Sequence, residues 1–218
     1  MLTALVPARK EIKKVKDKNI LPFGKSTLLE HKLEQLKKVP SIDNIIVSTD
    51  DKNIAQIAVN SGVKVFMRPG KYASPDCPFS AFVEYICSEL PGNDILWSCV
   101  TAPFIDETDY ENAIALYRQI LHEGYDSLIT VTKLNRHILD INGAVNFQRG
   151  IRHKNSEDLN GLLLFTNGIV IAPREKMIAW KYHWGHIPYM VEVTPKKGID
   201  IIDYYDYEVA CALYEKDN

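Results

Sequence analysis

Cysteine is sparse and scattered: Cys77, Cys87, Cys99 and Cys211 are the four in 218 residues, with no C-x-x-C spacing. That pattern excludes a disulfide framework and a zinc knuckle, and it fits free thiols in a reducing compartment. Long apolar runs are missing as well. None approaches the ~20 residues needed to span a bilayer. The first apolar run, Leu2 to Val6, has no basic leader of the kind a secretory signal carries. A soluble, cytoplasmic chain with no membrane partner is expected. Nor is there an excess of charge of one sign. A formal net charge of -2 argues against wholesale nucleic-acid binding, for which a strongly basic domain is expected. No GxSxG element or Cys/His signature supports covalent catalysis. His183 and His186 flank Trp184 without further ligands nearby, so aromatic packing is expected there rather than zinc. Glycine is absent from one place that matters later: none of residues 7 to 19 is glycine.

What is present is an ordinary globular balance, 46% apolar and 25% charged, enough for the core of one α/β domain. The chain starts with the apolar run Leu2 to Val6, breaks at Pro7, and becomes a loop dense in cations. Arg9, Lys10, Lys13, Lys14, Lys16 and Lys18 are opposed only by Glu11 and Asp17. A buried strand that empties into a basic loop can hold polyphosphate at the carboxyl end of a parallel sheet. A solvated basic turn is the plainer alternative.

Ser26 or Thr27 can cap a helix running to about Lys38, with Glu30 placed for a capping box. Ile45 to Val47 is a short strand. It hands over through Asp50 and Asp51 to a helix that Gly62 closes, and capping is the expected role of those carboxylates. Strand signals recur at Val63 to Met67, Asp94 to Val100 and Ser127 to Thr132. Helical signals lie between them, at Phe79 to Leu90 and Thr108 to Glu123. This alternation predicts right-handed crossovers and a mostly parallel sheet covered on both faces. From Lys133 to Asn160 the pattern weakens into a hairpin or arm. Leu162 to Phe165 and Ile169 to Ala172 read as strand on either side of Asn167-Gly168, and a last helix runs from about Tyr204 to Tyr214.

The motifs V-P-A-R, K-N-I nine residues past the Arg, V-S-T-D-D, R-P, T-A-P-F, T-N-G-I and G-I-D-I occur in that order along nearly the whole chain. In this it resembles the cytidylyltransferases that activate sialic acid and related nonulosonic acids, the CMP-acylneuraminate synthetases. The T-A-P-F form looks more like the pseudaminic acid branch. The resemblance implies a Rossmann-like, three-layer α/β fold in a single nucleotidyltransferase domain over residues 1–218. It also implies a small projecting lobe, at about 133–160, that makes a homodimer. The implied reaction joins CMP from CTP to a 2-keto sugar acid and releases pyrophosphate, with Mg²⁺.

Carried over residue by residue, Arg9 matches the first-loop arginine, whose planar donors suit phosphate. Lys18 matches the lysine expected to reach the α-phosphate, and Asn19 its nucleotide-binding neighbour. Ala8 and Lys13 fall in the same nucleotide loop. Arg68 and Ser80 are matched to positions around the cytosine. Cys99 stands where the sialic acid branch has a sugar-contacting Gln, which leaves Thr101 as the candidate substitute. For the metal, Asp200 matches the first carboxylate. Ile202 occupies the second position, so Asp203 serves only if the chain bends there, and otherwise caps the final helix.

Where the family usually has P-A-R-G-G-S-K-G, this chain has P-A-R-K-E-I-K-K, so Lys10 and Lys14 become candidates to supply charge in place of backbone contacts. That departure keeps two alternatives open. One is a different acceptor such as 3-deoxy-manno-octulosonic acid; the other is a nucleotide-binding protein that has lost catalysis.

Overall fold

The computed structural model describes residues 1–10, 15–159 and 161–217. Strand β1 (Leu2–Pro7) leads to a 3-10 turn over Lys18–Ile20 and a minimal hairpin of β2 (Pro22–Phe23) and β3 (Ser26–Thr27). Next come α1 (Leu28–Lys37), β4 (Asn44–Thr49), α2 (Lys52–Asn60), β5 (Lys64–Met67) and the helical turn α3 (Gly70–Ala73). After these are α4 (Phe79–Glu89), β6 (Asp94–Trp97), α5 (Glu107–Ile120) and β7 (Ser127–Lys133). A hairpin of β8 (Leu139–Asp140) and β9 (Gly143–Ala144) forms a sheet of its own, where the sequence predicts an arm. Then follow β10 (Leu163–Pro173), α6 (Arg174–Trp180), β11 (Pro188–Glu192) and α7 (Tyr204–Asp217).

The seven long strands form one sheet in the order β11-β7-β10-β6-β1-β4-β5. Pairing is parallel except for β10, which runs antiparallel to both β6 and β7. The side-chain period of two splits the core. Ala4, Val6, Val47 and Leu96 pack with α1, α2 and α5, while Leu5, Ile46, Ile95 and Trp97 pack with α4 and α6. Strand order reverses between β1 and β6, so a crevice opens there at the carboxyl ends of the parallel strands.

Local chemistry sets the element boundaries. Thr27 and Glu30 form the expected capping box on α1. Asp51 caps α2 through the Asn53 and Ile54 amides. Two sequence expectations need correction. Strand β6 stops at Trp97 rather than Val100, and residues 98–105 turn across the crevice. The T-N-G-I stretch does not separate two strands. β10 runs through it with a register shift between Phe165 and Val170, and Asn167 takes φ +52°. Gly168 is required there because a Cβ would meet Ile105 Cγ1 at 2.9 Å.

One feature of α1 supports the crevice from beneath. Lys32 is fully buried. Its ammonium donates to the Ala102 carbonyl at 2.8 Å and the Tyr110 hydroxyl at 3.0 Å, with the Ile105 carbonyl at 3.4 Å. The Tyr110 hydroxyl in turn meets Ser98 Oγ at 2.6 Å. A core lysine therefore pins the 98–105 turn by its carbonyls.

Burial holds the Lys32 pKa at about 7, against an ordinary 10.5. Between those values the unfolded chain keeps a proton that the folded chain has released. Stability should therefore rise with pH from 7 toward 10, by at most about 1.4 kcal/mol per pH unit. Lys32→Met should flatten that slope. It should also lower stability at pH 9 by roughly 1–3 kcal/mol, because it orphans buried carbonyls. Urea titrations at several pH values check both outcomes.

Candidate active site

The loop after β1 is fastened at each described end. The Ala8 amide donates to the Ser48 carbonyl at 2.9 Å, and the Lys10 amide to Asp50 Oδ1 at 2.9 Å. Asn19 Nδ2 returns to the Arg9 carbonyl at 3.0 Å and closes the loop on itself. Left-handed backbone is needed here, and Asp17 supplies it at φ +52° where a glycine would be the usual choice. The Lys10 ammonium turns to Asp51 at 3.5 Å. Lys13 and Lys14 lie outside the described residues.

Lys18 begins the 3-10 turn. Its buried ammonium donates to the Ile201 carbonyl at 2.7 Å. Burial pulls its pKa below the ordinary lysine value, and the nearby Asp200 carboxylate opposes that shift. Asp200 is set in turn by Asn167 Nδ2, at 2.9 Å from Oδ2. The Ile201 amide donates to the Thr101 carbonyl at 2.8 Å. The loops after β1 and β6, the bulge of β10 and the approach to α7 thus converge.

Arg68, just beyond β5, is the second buried cation. Its Nη2 donates to the Ser48 carbonyl at 2.7 Å and its Nε to Ser48 Oγ at 3.2 Å. Its guanidinium lies 4.2 Å from the Phe82 ring centre. Burial lowers its pKa to about 10, with Asp50 pulling the other way, so it stays charged near neutrality.

Arg9, Lys18, Asn19, Arg68 and Thr101, proposed from separate parts of the sequence, all line one cavity of about 640 Å³. Ala8 is buried and is not among the lining residues. Ser80 is placed elsewhere, exposed on the first turn of α4, and its neighbour Phe79 lines the cavity instead. Asp203 is exposed. Its Oδ1 accepts from the Asp206 amide at 3.2 Å, and Asp206 Oδ2 accepts from the Asp203 amide at 3.1 Å. This reciprocal cap is the second of the two roles the sequence leaves for Asp203.

At the other end of the cavity Phe79, Trp97, Phe165 and Tyr182 surround His183; the aromatic packing expected at His183 is found, but the sequence does not show that it lines the cavity. These rings come from four segments and share no spacing that could mark them. Burial lowers the His183 pKa to about 4, so its ring is neutral. Asn167 is also missed, because its role depends on the bulge.

No group of three or more His, Cys, Asp or Glu side chains among the described residues is arranged to hold a metal. Asp200 is the carboxylate beside Lys18. That donor set fits a hard cation taking most of its ligands from phosphate and water, as Mg²⁺ does, and does not fit an all-protein cage. Asp203→Ala should lower stability by about 1 kcal/mol through loss of the cap while leaving any Mg²⁺ dependence of nucleotide binding unchanged. Thermal unfolding and calorimetry with and without Mg²⁺ measure the two effects.

The family model described as cytidylyltransferase matches residues 3–153. An N-acylneuraminate cytidylyltransferase of Escherichia coli O18:K1:H7 is 25% identical over 227 residues, covering 100% of this chain and 53% of the relative. A pseudaminic acid cytidylyltransferase of Campylobacter jejuni is 25% identical over 126 residues, covering 57% of this chain and 52% of the relative. The chain thus spans about half the length of the curated relatives it matches.

Among solved structures, a CMP:2-keto-3-deoxy-manno-octonic acid synthetase complexed with CTP superposes with TM-score 0.71 at 15% identity. The match covers 100% of this chain and 99% of that one. A 4-diphosphocytidyl-2C-methyl-D-erythritol synthase from Anaerococcus prevotii gives 0.68 at 16% identity, covering 98% of each chain. At those identities the likeness is one of fold. With more than half of its length matched by the family model, the chain belongs to the cytidylyltransferase family.

Proposed function

We propose that the protein transfers CMP from CTP to a nonulosonic, sialic-acid-like 2-keto sugar acid and releases pyrophosphate. The observation that carries this reading is the convergence of Arg9, Lys18 and Arg68 on one cavity beside Asp200. Lys18 and Arg68 are buried cations anchored by neutral oxygens, so their charge remains available to a triphosphate. In the reaction the acceptor hydroxyl oxygen bonds to the α-phosphorus, the α–β anhydride bond breaks with pyrophosphate as leaving group, and the hydroxyl proton passes to water. Lys18 stabilises charge on the α-phosphate, and Arg9 orients the phosphate chain. Asn19 holds the loop in place, and Arg68 reads the nucleotide from the β5 side. Asp200, steadied by Asn167, would hold Mg²⁺, which when bound neutralises phosphate oxygens.

The acceptor class is supported by the names of the curated relatives, an N-acylneuraminate and a pseudaminic acid cytidylyltransferase. Likeness in fold to the octonic acid synthetase keeps 3-deoxy-manno-octulosonic acid as a second acceptor. Pyrophosphate release is the test, with CTP, Mg²⁺ and a panel of both acceptor types. Release with a nonulosonic acid is expected, and CTP binding without turnover would instead favour a degenerate nucleotide-binding protein. Lys18→Ala should cut kcat by roughly 10²–10⁴-fold, the scale of a lost transition-state charge contact.

Homodimerisation is part of the same proposal. Ile141 and Ile151, on the 133–160 excursion, are fully exposed, as unpartnered interface residues would be. Light scattering is expected to give a dimer, and the pair Ile141→Asp with Ile151→Asp a monomer.

A further inference from the structure

The proposed reaction uses the groups that line the cavity; it leaves unused the buried cluster around Lys32. Cys99, Val100 and Thr101 of the 98–105 turn line the cavity, and Lys32 does not. Lys32 holds the same turn by its other carbonyls, Ala102 at 2.8 Å and Ile105 at 3.4 Å, and meets the Tyr110 hydroxyl at 3.0 Å. An ammonium has three N–H donors for these three oxygens. The Tyr110 hydroxyl must then donate onward to Ser98 Oγ, at 2.6 Å. A neutral amine has two donors and a lone pair. It keeps both carbonyls by accepting from Tyr110, which turns the Tyr110–Ser98 bond around. Its bonds to the carbonyls also lose the charge that makes such bonds about twice as strong. What the turn holds in place is the site: the Thr101 carbonyl accepts from the Ile201 amide at 2.8 Å, and the Ile201 carbonyl from Lys18 at 2.7 Å.

We propose that Lys32 is a proton-linked positioning residue of the reaction: as an ammonium it grips the 98–105 turn and thereby fixes Ile201 and Lys18, and on losing its proton it relaxes that grip. This deepens the proposed function and rests on it. The charged and titratable groups facing Lys32 are the Cys99 thiol of the turn, Asp106 and Asp109 at the head of α5, Tyr110, and His31 beside it on α1. Lys197 bridges both aspartates, at 2.9 and 2.7 Å. Burial pushes the Cys99 thiol up to about 12, pushes the Tyr110 hydroxyl up, and holds His31 below the ordinary histidine value. Burial brings Lys32 to neutrality, at about 7.

The test compares kcat of wild type and Lys32→Gln, by pyrophosphate release at saturating CTP, Mg²⁺ and acceptor, between about pH 6.5 and 9. Glutamine offers N–H donors and has no proton to lose. Wild type is expected to exceed the variant by about 3–10-fold at the acid end, and by less as pH rises. Ionisations of the substrates and of Lys18 occur in both proteins and cancel in the ratio. KM for CTP should change less than kcat, because Lys32 does not line the cavity. Urea titrations of the same samples should show the stability advantage of wild type moving the other way, growing with pH as the folded chain releases the proton. A merely structural lysine would make activity follow stability. Tyr110→Phe, which removes the third acceptor and keeps the ring, should move the loss of kcat to lower pH. A kcat ratio that stays constant with pH, or widens with stability, overturns the inference alone, as does an unmoved profile in folded Tyr110→Phe. No pyrophosphate release by wild type with any acceptor overturns the proposed function and this inference together.

Discussion

The hydrogen bond from Lys18 to the Ile201 carbonyl joins residues 183 positions apart, and the rest of the site depends on it. It ties the loop after the first strand to the segment before the last helix. Ile201 also holds the 98–105 turn through Thr101, and that turn rests on Lys32 from below. Asp200, one residue before Ile201, is set by Asn167 from the bulge of β10. Four distant pieces of chain thereby share one frame, and a small displacement of any of them moves the cationic end of the cavity.

Three buried cations have a common feature. Lys18, Lys32 and Arg68 are all held by neutral oxygens, chiefly backbone carbonyls. A carboxylate partner would have neutralised them and made them simple structural pairs. Carbonyl partners satisfy their hydrogen-bonding geometry yet leave the positive charge in place, in surroundings where Coulomb interactions are stronger than in water. For Lys18 and Arg68 that charge faces the cavity. For Lys32 it lies beneath the floor, and the same burial moves its titration toward neutrality. The carboxylates of Asp51 and Asp203, by contrast, cap helices, and Asp50 anchors the loop backbone. Within one small region, the charges of Lys18 and Arg68 border the cavity, while the carboxylates of Asp50, Asp51 and Asp203 hold backbone.

Much of the fold was legible because it follows from local rules. The capping box of Thr27 and Glu30, the cap at Asp51, and the apolar runs at Leu2 to Val6 and Ile45 to Val47 each state their own element. The errors fall where tertiary contacts override local preference. T-N-G-I looks like a break, but pairing on both sides carries β10 through it, and close packing against Ile105 explains its glycine. Asp94 to Val100 looks like one strand, but the chain leaves the sheet after Trp97 and crosses the crevice. The basic loop contains no glycine, and among its described residues Asp17 takes left-handed backbone.

By itself the sequence determined the α/β alternation, the caps, and the set of chemically capable residues at the cationic end of the cavity. The alternation and the caps rest on periodicity and residue chemistry, which short windows contain; the site residues follow from the resemblance carried by the ordered motifs. The tertiary structure alone decided which of those residues meet, that Asp203 is used as a cap, and that Ser80 lies off the cavity. It also assembled the aromatic end around His183, because those rings belong to segments with no shared spacing. The basic loop after β1 reads in sequence as a run of like charges. In the fold, among the described residues, Arg9 and Lys18 line the cavity, and Ser48, Asp50 and Ile201, from β4, the turn after it and the approach to α7, supply the oxygens that hold the loop.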